Sequence, residues 1–408
     1  MRWPFVRRIA TKEILSTLRD HRAIVSNLVI PLLLLPVMML GLPLLLGGLF
    51  QREATTVTEL AVQGAEHLPP ELAAAIEAQA ATLVAVDDAE AAVRADDYPA
   101  GLIVTPGFGD AIAAGERAEV VIVVKEANLR AELNAGKLRS AVDAYRRAVV
   151  AERLVDAGVD PAVLEPVAVS TLDASTQAER SSGQLAWLIP FFIAIWTLTG
   201  GQMTAIDATA GEKERGTLEV LLVTPVRRAE VVFGKFLAVV LFGLSAALMA
   251  IVGFVLGGTV LRRLFLPLIG EEGGEMAAMM GGSLTITPTT IALLVVSSVL
   301  MAAVVAALLM SVTLFARSFK EAQTYVAPMS FLLIVPAIAL QFKDLIGAGA
   351  FVYWIPVYNV MILMDDAVKG AASLGPTLTT WGVMAALIAL LLAFAYLNFK
   401  REDVLFRT

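Results

Sequence analysis

Six stretches of this 408-residue chain are predominantly apolar over about the length that crosses a bilayer, at 23–50, 185–206, 231–261, 290–315, 326–342 and 374–399. No other feature constrains the fold as strongly, because roughly 20 helical residues cross about 30 Å of hydrocarbon. Backbone in lipid must satisfy its own hydrogen bonds, so each run is predicted to be an α-helix. Composition agrees: 58% of residues are hydrophobic and 17% charged, where soluble chains carry about a quarter charged residues. The expected fold is an α-helical integral membrane protein with six transmembrane helices. Residues 351–364 are apolar but short, broken by Pro356 and followed by Asp365 and Asp366, which suits a re-entrant or interfacial segment.

The flanking segments have other characters. Residues 1–22 combine Arg2, Arg7, Arg8, Lys12, Arg19 and Arg22 with Ile9, Ile14, Leu15 and Leu18 at helical spacing, a basic amphipathic helix lying in the membrane interface against lipid. Run 23–50 is too long for a signal-peptide core and lacks a small-residue cleavage site, so it is read as an uncleaved first span. Over 51–182 apolar character drops, and strand-like pieces at 60–62, 83–86, 101–104 and 120–124 alternate with Ala-rich helical stretches, the longest predicted over 129–157. This predicts an α/β domain between spans one and two, followed by spans two to six in 183–408. Most of the excess acid behind the net charge of -7 lies in that domain, and no basic stripe suggests nucleic acid.

Orientation follows from Lys and Arg near the spans. Six precede the first span, five lie in the loop 207–235, Arg317 and Lys320 join spans four and five, and Lys400, Arg401 and Arg407 close the chain. These segments are expected in the cytoplasm, with both termini inside and the 51–182 domain outside; Arg262 and Arg263 count weakly against it. With no cysteine, only His21 and His67 remain as imidazole ligands, and both read as solvated, so no metal site is expected.

Charge density peaks in Gly211-Glu-Lys-Glu-Arg-Gly-Thr-Leu-Glu-Val-Leu-Leu-Val-Thr-Pro225, followed by Arg227, Arg228, Glu230, Gly234 and Lys235. Thr217 is expected to cap a short helix with Leu218, Leu221 and Leu222 on one face and Pro225 at its end. The plain alternative is a cytoplasmic loop with solvated charges. No G-x-x-x-x-G-K-[ST] phosphate loop is present; Gly234-Lys235 lacks the upstream glycine, and Ser181-Ser-Gly-Gln184 is a chance match to part of an ATPase signature. Nucleotide binding by this chain is therefore not expected.

The string Glu212-x-Glu-x-Gly-Thr-Leu-Glu-x-Leu-x-x-Thr-Pro, then Glu230-x-x-x-Gly-Lys, resembles the loop between spans two and three of ABC type-two exporter permeases. The large domain after span one resembles their sodium-efflux, NatB-like branch. So do Lys12-Glu-x-x-x-x-x-Arg-Asp20, Ala316-Arg-Ser-Phe-Lys-Glu-Ala-Gln323, Pro356-Val-Tyr-Asn359 and Asn398-x-x-Arg-Glu-Asp403. The resemblance implies a permease that is not itself an enzyme, in the cytoplasmic membrane, paired with a second identical or different permease. It also implies ABC ATPase subunits that carry ATP and magnesium. The coupling surface would comprise Glu212, Glu214, Gly216, Thr217, Glu219, Thr224, Pro225 and Glu230. The cargo would be sodium ion, or a hydrophobic drug, peptide or lipid.

Asn27, Gln202 and Asn359 are candidates for a substrate path. The hydroxyls of Thr197, Thr199, Ser297, Ser298, Ser311 and Thr313 are expected to hydrogen-bond between helices. No carboxylate falls mid-run, so no cation path is legible. Two other classes compete. A secondary transporter or channel should show paired broken helices and intramembrane charges, and a membrane-anchored sensory or binding protein needs only one or two spans.

Overall fold

The computed structural model describes residues 1–164, 166, 167, 169, 170, 172, 174–183, 186–260, 263, 287–346 and 349–399. Gln184, Arg262, Lys400, Arg401, Asp403 and Arg407, drawn on above, lie outside these. The chain divides into two compact units, 45–173 and a helical unit of 1–44 with 174–408.

The helical unit starts with α1 (Trp3–Leu18). A short helical turn at His21–Ile24 and a π-helical turn at Val25–Val29 lead into α2 (Ile30–Thr55). The latter's last residues belong to the second unit.

That unit is an α/β domain. Its elements are β1 (Thr58–Gln63), α3 (Pro70–Glu77), β2 (Ala81–Ala85), α4 (Ala89–Arg94), β3 (Ala100–Val104), α5 (Phe108–Ala113), β4 (Val120–Val124) and α6 (Leu129–Asp156). The four strands and the long helix lie within a few residues of where alternation and Ala-rich periodicity predict them. Strand order is β2-β1-β3-β4. Two parallel pairs, Leu60 against Leu83 and Val62 against Leu102, are linked through crossover helices α3 and α4, as parallel neighbours require. Strand β4 returns antiparallel, with Leu102 opposite Ile122. Leu60, Leu72, Ile76, Leu102 and Leu138 fill the core between sheet and helices.

After α7 (Gln177–Ser182) the helical unit continues with α8 (Leu188–Ile206), α9 (Thr217–Leu222), α10 (Arg228–Val260), α11 (Pro288–Thr313), α12 (Phe319–Val326), α13 (Met329–Gln341), α14 (Tyr358–Val368) and α15 (Leu374–Phe399). Among the described residues six helical stretches are long and apolar enough to cross a membrane: 21–38, 188–214, 228–257, 288–313, 319–341 and 374–399. Of these, 188–214 is the most buried and packs centrally. It meets α10 very closely: a Cβ on Gly200 would lie 2.6 Å from Ala246 Cβ and 2.7 Å from Phe242 O. Close approach of small residues brings helices together where lipid removes the hydrophobic drive.

Four of the hydroxyls differ from expectation. Thr197, Thr199, Ser311 and Thr313 donate to the carbonyls of Ile193, Ile195, Ala307 and Leu309 on their own helices. A carbonyl four residues back is always within reach, and in a dry helix it wins over a distant partner. Ser297 does bridge helices, accepting from Trp381 Nε1 at 3.3 Å. Residues 351–364 form a 3₁₀ turn (Ala350–Trp354) and most of α14, which is buried at every position and too short to span.

Candidate coupling site and a buried acidic pair

Helix α1 buries Val6, Ile9, Ala10 and Glu13 and lies along the start of α10. The approach is possible because residue 234 is glycine: a Cβ there would sit 2.8 Å from Ile9 Cβ and 3.0 Å from the Val6 carbonyl oxygen. Beside it Lys235, only 1% exposed, donates to Glu13 Oε1 at 3.1 Å, Glu212 Oε2 at 2.6 Å and the Ala208 carbonyl at 2.7 Å. All three ammonium hydrogens are thereby used. Lys12 closes the network from the solvent side by pairing with both Glu13 and Glu212. Burial pulls the Lys12 ammonium down, but its bonds to Glu212 and Glu13 outweigh this and its pKa is raised.

A second clasp forms at the other end of α1. The Arg2 backbone N–H donates to Glu230 Oε1 at 2.6 Å, and its guanidinium donates to Oε1 at 3.1 Å and Oε2 at 3.0 Å. Glu230 Oε2 also accepts the Arg227 N–H at 3.0 Å. Paired donors of this kind fix direction as well as distance.

The loop is fastened on its far side too. Lys213 donates to the Leu314 carbonyl, and Glu214 Oε2 accepts the Phe319 N–H at 2.7 Å, at the first turn of α12. Glu214 thus supplies negative charge where a helix N-terminus favours it. Arg215 pairs with Asp207 at 2.9 Å.

The capping expectation for Thr217 is corrected. Gly216, at φ 69°, is the N-cap of α9, and Thr217 is its first residue, donating back to the Glu212 carbonyl at 3.3 Å. The left-handed backbone at 216 favours glycine, and glycine has no side chain with which to cap. Thr224 donates to the Leu221 carbonyl at 2.6 Å, and Pro225 follows. Of the eight candidate coupling residues, Glu214, Gly216, Thr217, Glu219, Thr224 and Pro225 are exposed, whereas Glu212 and Glu230 are buried at 2% and 0%. Exposed beside them stand Val220 (65%) and Val223 (85%), which sequence reasoning did not single out. An apolar groove of about 530 Å³ lies between α1 and α9, lined by Phe5, Ile9, Val220, Leu221, Pro225 and Val226 among others.

Asn27 donates to the Gly200 carbonyl at 3.2 Å. Asn359 donates to the Tyr353 carbonyl at 3.1 Å and accepts the Val360 N–H at 2.7 Å, and Gln202 is half-buried. No hydrogen bond joins these three, so the two asparagines act as pins on the backbone.

Sequence reasoning missed a buried acidic pair. Asp365 and Asp366, 0% and 6% exposed, close α14. Lys343 donates to Asp366 Oδ1 at 2.7 Å and Asp365 Oδ2 at 3.3 Å, Lys369 to Asp365 Oδ2 at 2.8 Å, and Tyr353 to Asp366 Oδ2 at 2.6 Å. Burial opposes charge on Lys343, yet Asp366 and Asp365 prevail and raise its pKa; burial, then Asp366, raise that of Tyr353. Asp365 Oδ1 is buried without a partner. The available signal was Asp-Asp ending an apolar run, with Lys369 four residues on. Among the described residues no three or more His, Asp or Glu side chains converge as a metal site.

Residues 26–397 match the family described as ABC-2 family transporter protein. The chain belongs to that family. A relative, the ABC transporter permease protein NatB of Bacillus subtilis (strain 168), is 28% identical over 399 residues, covering 97% of each chain. As an ABC-2 permease the chain is a multi-pass membrane protein and the membrane subunit of an ABC transporter. ABC-2 membership implies association with an ABC ATPase. The family is generally non-enzymatic.

Proposed function

We propose that this permease couples ATP hydrolysis, on a separate ATPase chain that holds the nucleotide and magnesium, to efflux across the cytoplasmic membrane. The loop 207–235 is the cytoplasmic docking surface, the 51–182 domain faces outside, and two permeases work with two ATPases. The observation that carries this reading is that α9 and the residue after it offer Val220 and Val223 to solvent while both flanks are tied down, to α1 through Glu212 and Glu230 and to α12 through Glu214. A helix held at both flanks moves as a rigid body, and a closing partner can push it against the spans. Within this reading Glu214, Gly216, Thr217, Glu219, Thr224 and Pro225 meet the ATPase, and Glu212 and Glu230 transmit. The cargo is sodium ion, or a hydrophobic drug, peptide or lipid; the Asp365–Asp366 pair does not choose among them, because Lys343 and Lys369 already balance its charge.

The test is ATP-dependent sodium uptake into inverted membrane vesicles, with ATPase copurification measured in parallel. In this reading Glu214 meets a basic patch on the ATPase, so Glu214→Lys sets like charges against each other at a cost of several kcal/mol and should lower both. Glu66→Lys, an equal charge change on an exposed residue of the α/β unit, should leave both near wild type. Equal behaviour of the two variants removes Glu214 from the docking surface, and ATP-dependent export without sodium movement removes sodium.

A further inference from the structure

Strand β4 is the outer strand of its sheet, bonded only to β3. Among the described residues, the backbone of 120–124 makes no hydrogen bond outside that ladder. Proteins normally protect such an edge with charge, proline or a bulge. Here the strand reads Val120-Val-Ile-Val-Val124, with none of these. Val120, Ile122 and Val124 lean on the core, while Val121 is 43% exposed beside a groove of about 470 Å³ lined by Val93, Arg94 and Ile103.

The strand's sequence is its own mirror image about Ile122. In an antiparallel pairing of two copies centred there, residue 120 meets 124, 121 meets 123 and 122 meets itself. Each pair then shares the parity that lets outward-facing N–H and C=O groups meet. One step beyond the palindrome the charges are complementary: Glu119 lies opposite Lys125, twice by symmetry. A two-fold contact must be self-complementary, and this edge satisfies that in sequence, hydrogen-bond parity and charge.

We propose that the β4 edge pairs antiparallel with β4 of a second copy of this chain, joining two four-stranded sheets into one of eight. Main-chain bonds supply the attachment and the Glu119–Lys125 pairs fix the register. The pairing rests on the two-permease reading above but fails separately from it, because the spans alone can hold a dimer.

The chain's lack of cysteine gives a clean test on the full-length protein in native membranes. Residues 121 and 123 of opposite copies face each other at about 4.5–5.5 Å between Cα atoms, within disulfide reach, whereas 121 and its own counterpart lie on a diagonal of about 7–8 Å. Mild oxidation should link Val121→Cys/Val123→Cys into a covalent dimer at least roughly tenfold more than Val121→Cys alone. Lys125→Glu in the double-cysteine background should reduce the product about tenfold, and adding Glu119→Lys should restore it. That rescue separates the register pair from the local Lys125–Asp96 bridge (2.6 Å), which the swap does not rebuild. Equal crosslinking of single and double cysteine variants, no covalent dimer, or a crosslink to a different protein would each overturn the proposal. A dimer in detergent without the β4 crosslink would leave the two-permease reading standing.

Discussion

Replacing Lys235 by methionine is the sharpest probe of how α1 is held. The ammonium saturates three acceptors while 1% exposed, so its loss leaves the Glu13 and Glu212 carboxylates, 4% and 3% exposed, facing one lysine instead of two. Lys12 bonds to both but its side chain is 59% exposed, so screening weakens what it offers. Removing one partner of a buried ion pair typically costs about 3–5 kcal/mol, and the remaining Lys12 places Lys235→Met toward the lower end, about 3 kcal/mol. Adding Glu212→Gln removes the surplus negative charge and should recover about 1–2 kcal/mol, the coupling expected between contacting groups. Denaturation of the purified protein in detergent measures the cost, and trypsin cleavage at Arg7 and Arg8 reports release of α1. Unchanged stability in Lys235→Met, or strictly additive losses in the double variant, would refute the idea that this lysine anchors the network.

Gly234→Ala should loosen α1 at a cost of about 1–3 kcal/mol, because the new Cβ meets backbone at Val6 and the branched Cβ of Ile9; differential scanning fluorimetry with tryptic mapping checks it. Asp366→Asn should destabilise the α14 cluster below about pH 10 and progressively less above it. The raised Lys343 pKa means that its stabilisation is complete below the ordinary lysine value and fades as pH climbs through the folded one. Melting curves from pH 8 to 11 test the sign: a gap that widens with pH contradicts it. For topology, Ala127→Cys should react with an impermeant thiol reagent added to intact cells and Val223→Cys should be protected; the reverse pattern overturns the orientation.

What the sequence made legible was whatever depends on local period and length. Spans announce themselves through hydrocarbon thickness, and the strands of the α/β unit and its Leu129–Asp156 helix through alternation and Ala-rich stretches. The fate of individual charges was not legible. Glu212, Glu219 and Glu230 look alike in the sequence, yet the first and last are buried because Lys12 and Arg2, about 200 and 228 positions away, fold onto them. Gly234-Lys235 likewise shows no function as a dipeptide; its use appears only once α1 lies across it. Asp365 and Asp366 fell at the end of a short apolar run, and their burial depends on Lys343 and Tyr353 arriving from another segment.

The central claim is that α9 is the surface on which the ATPase closes, and Val220 and Val223 test it most directly because both are largely exposed. Val220→Glu/Val223→Glu should fold as the wild type does, since both positions are exposed, and so leave its melting curve in detergent unchanged. Copurification of the ATPase with this variant should fall at least tenfold against wild type, because apolar contacts are replaced by two desolvated charges. Recovery of the ATPase at wild-type stoichiometry with the double glutamate variant would contradict the account.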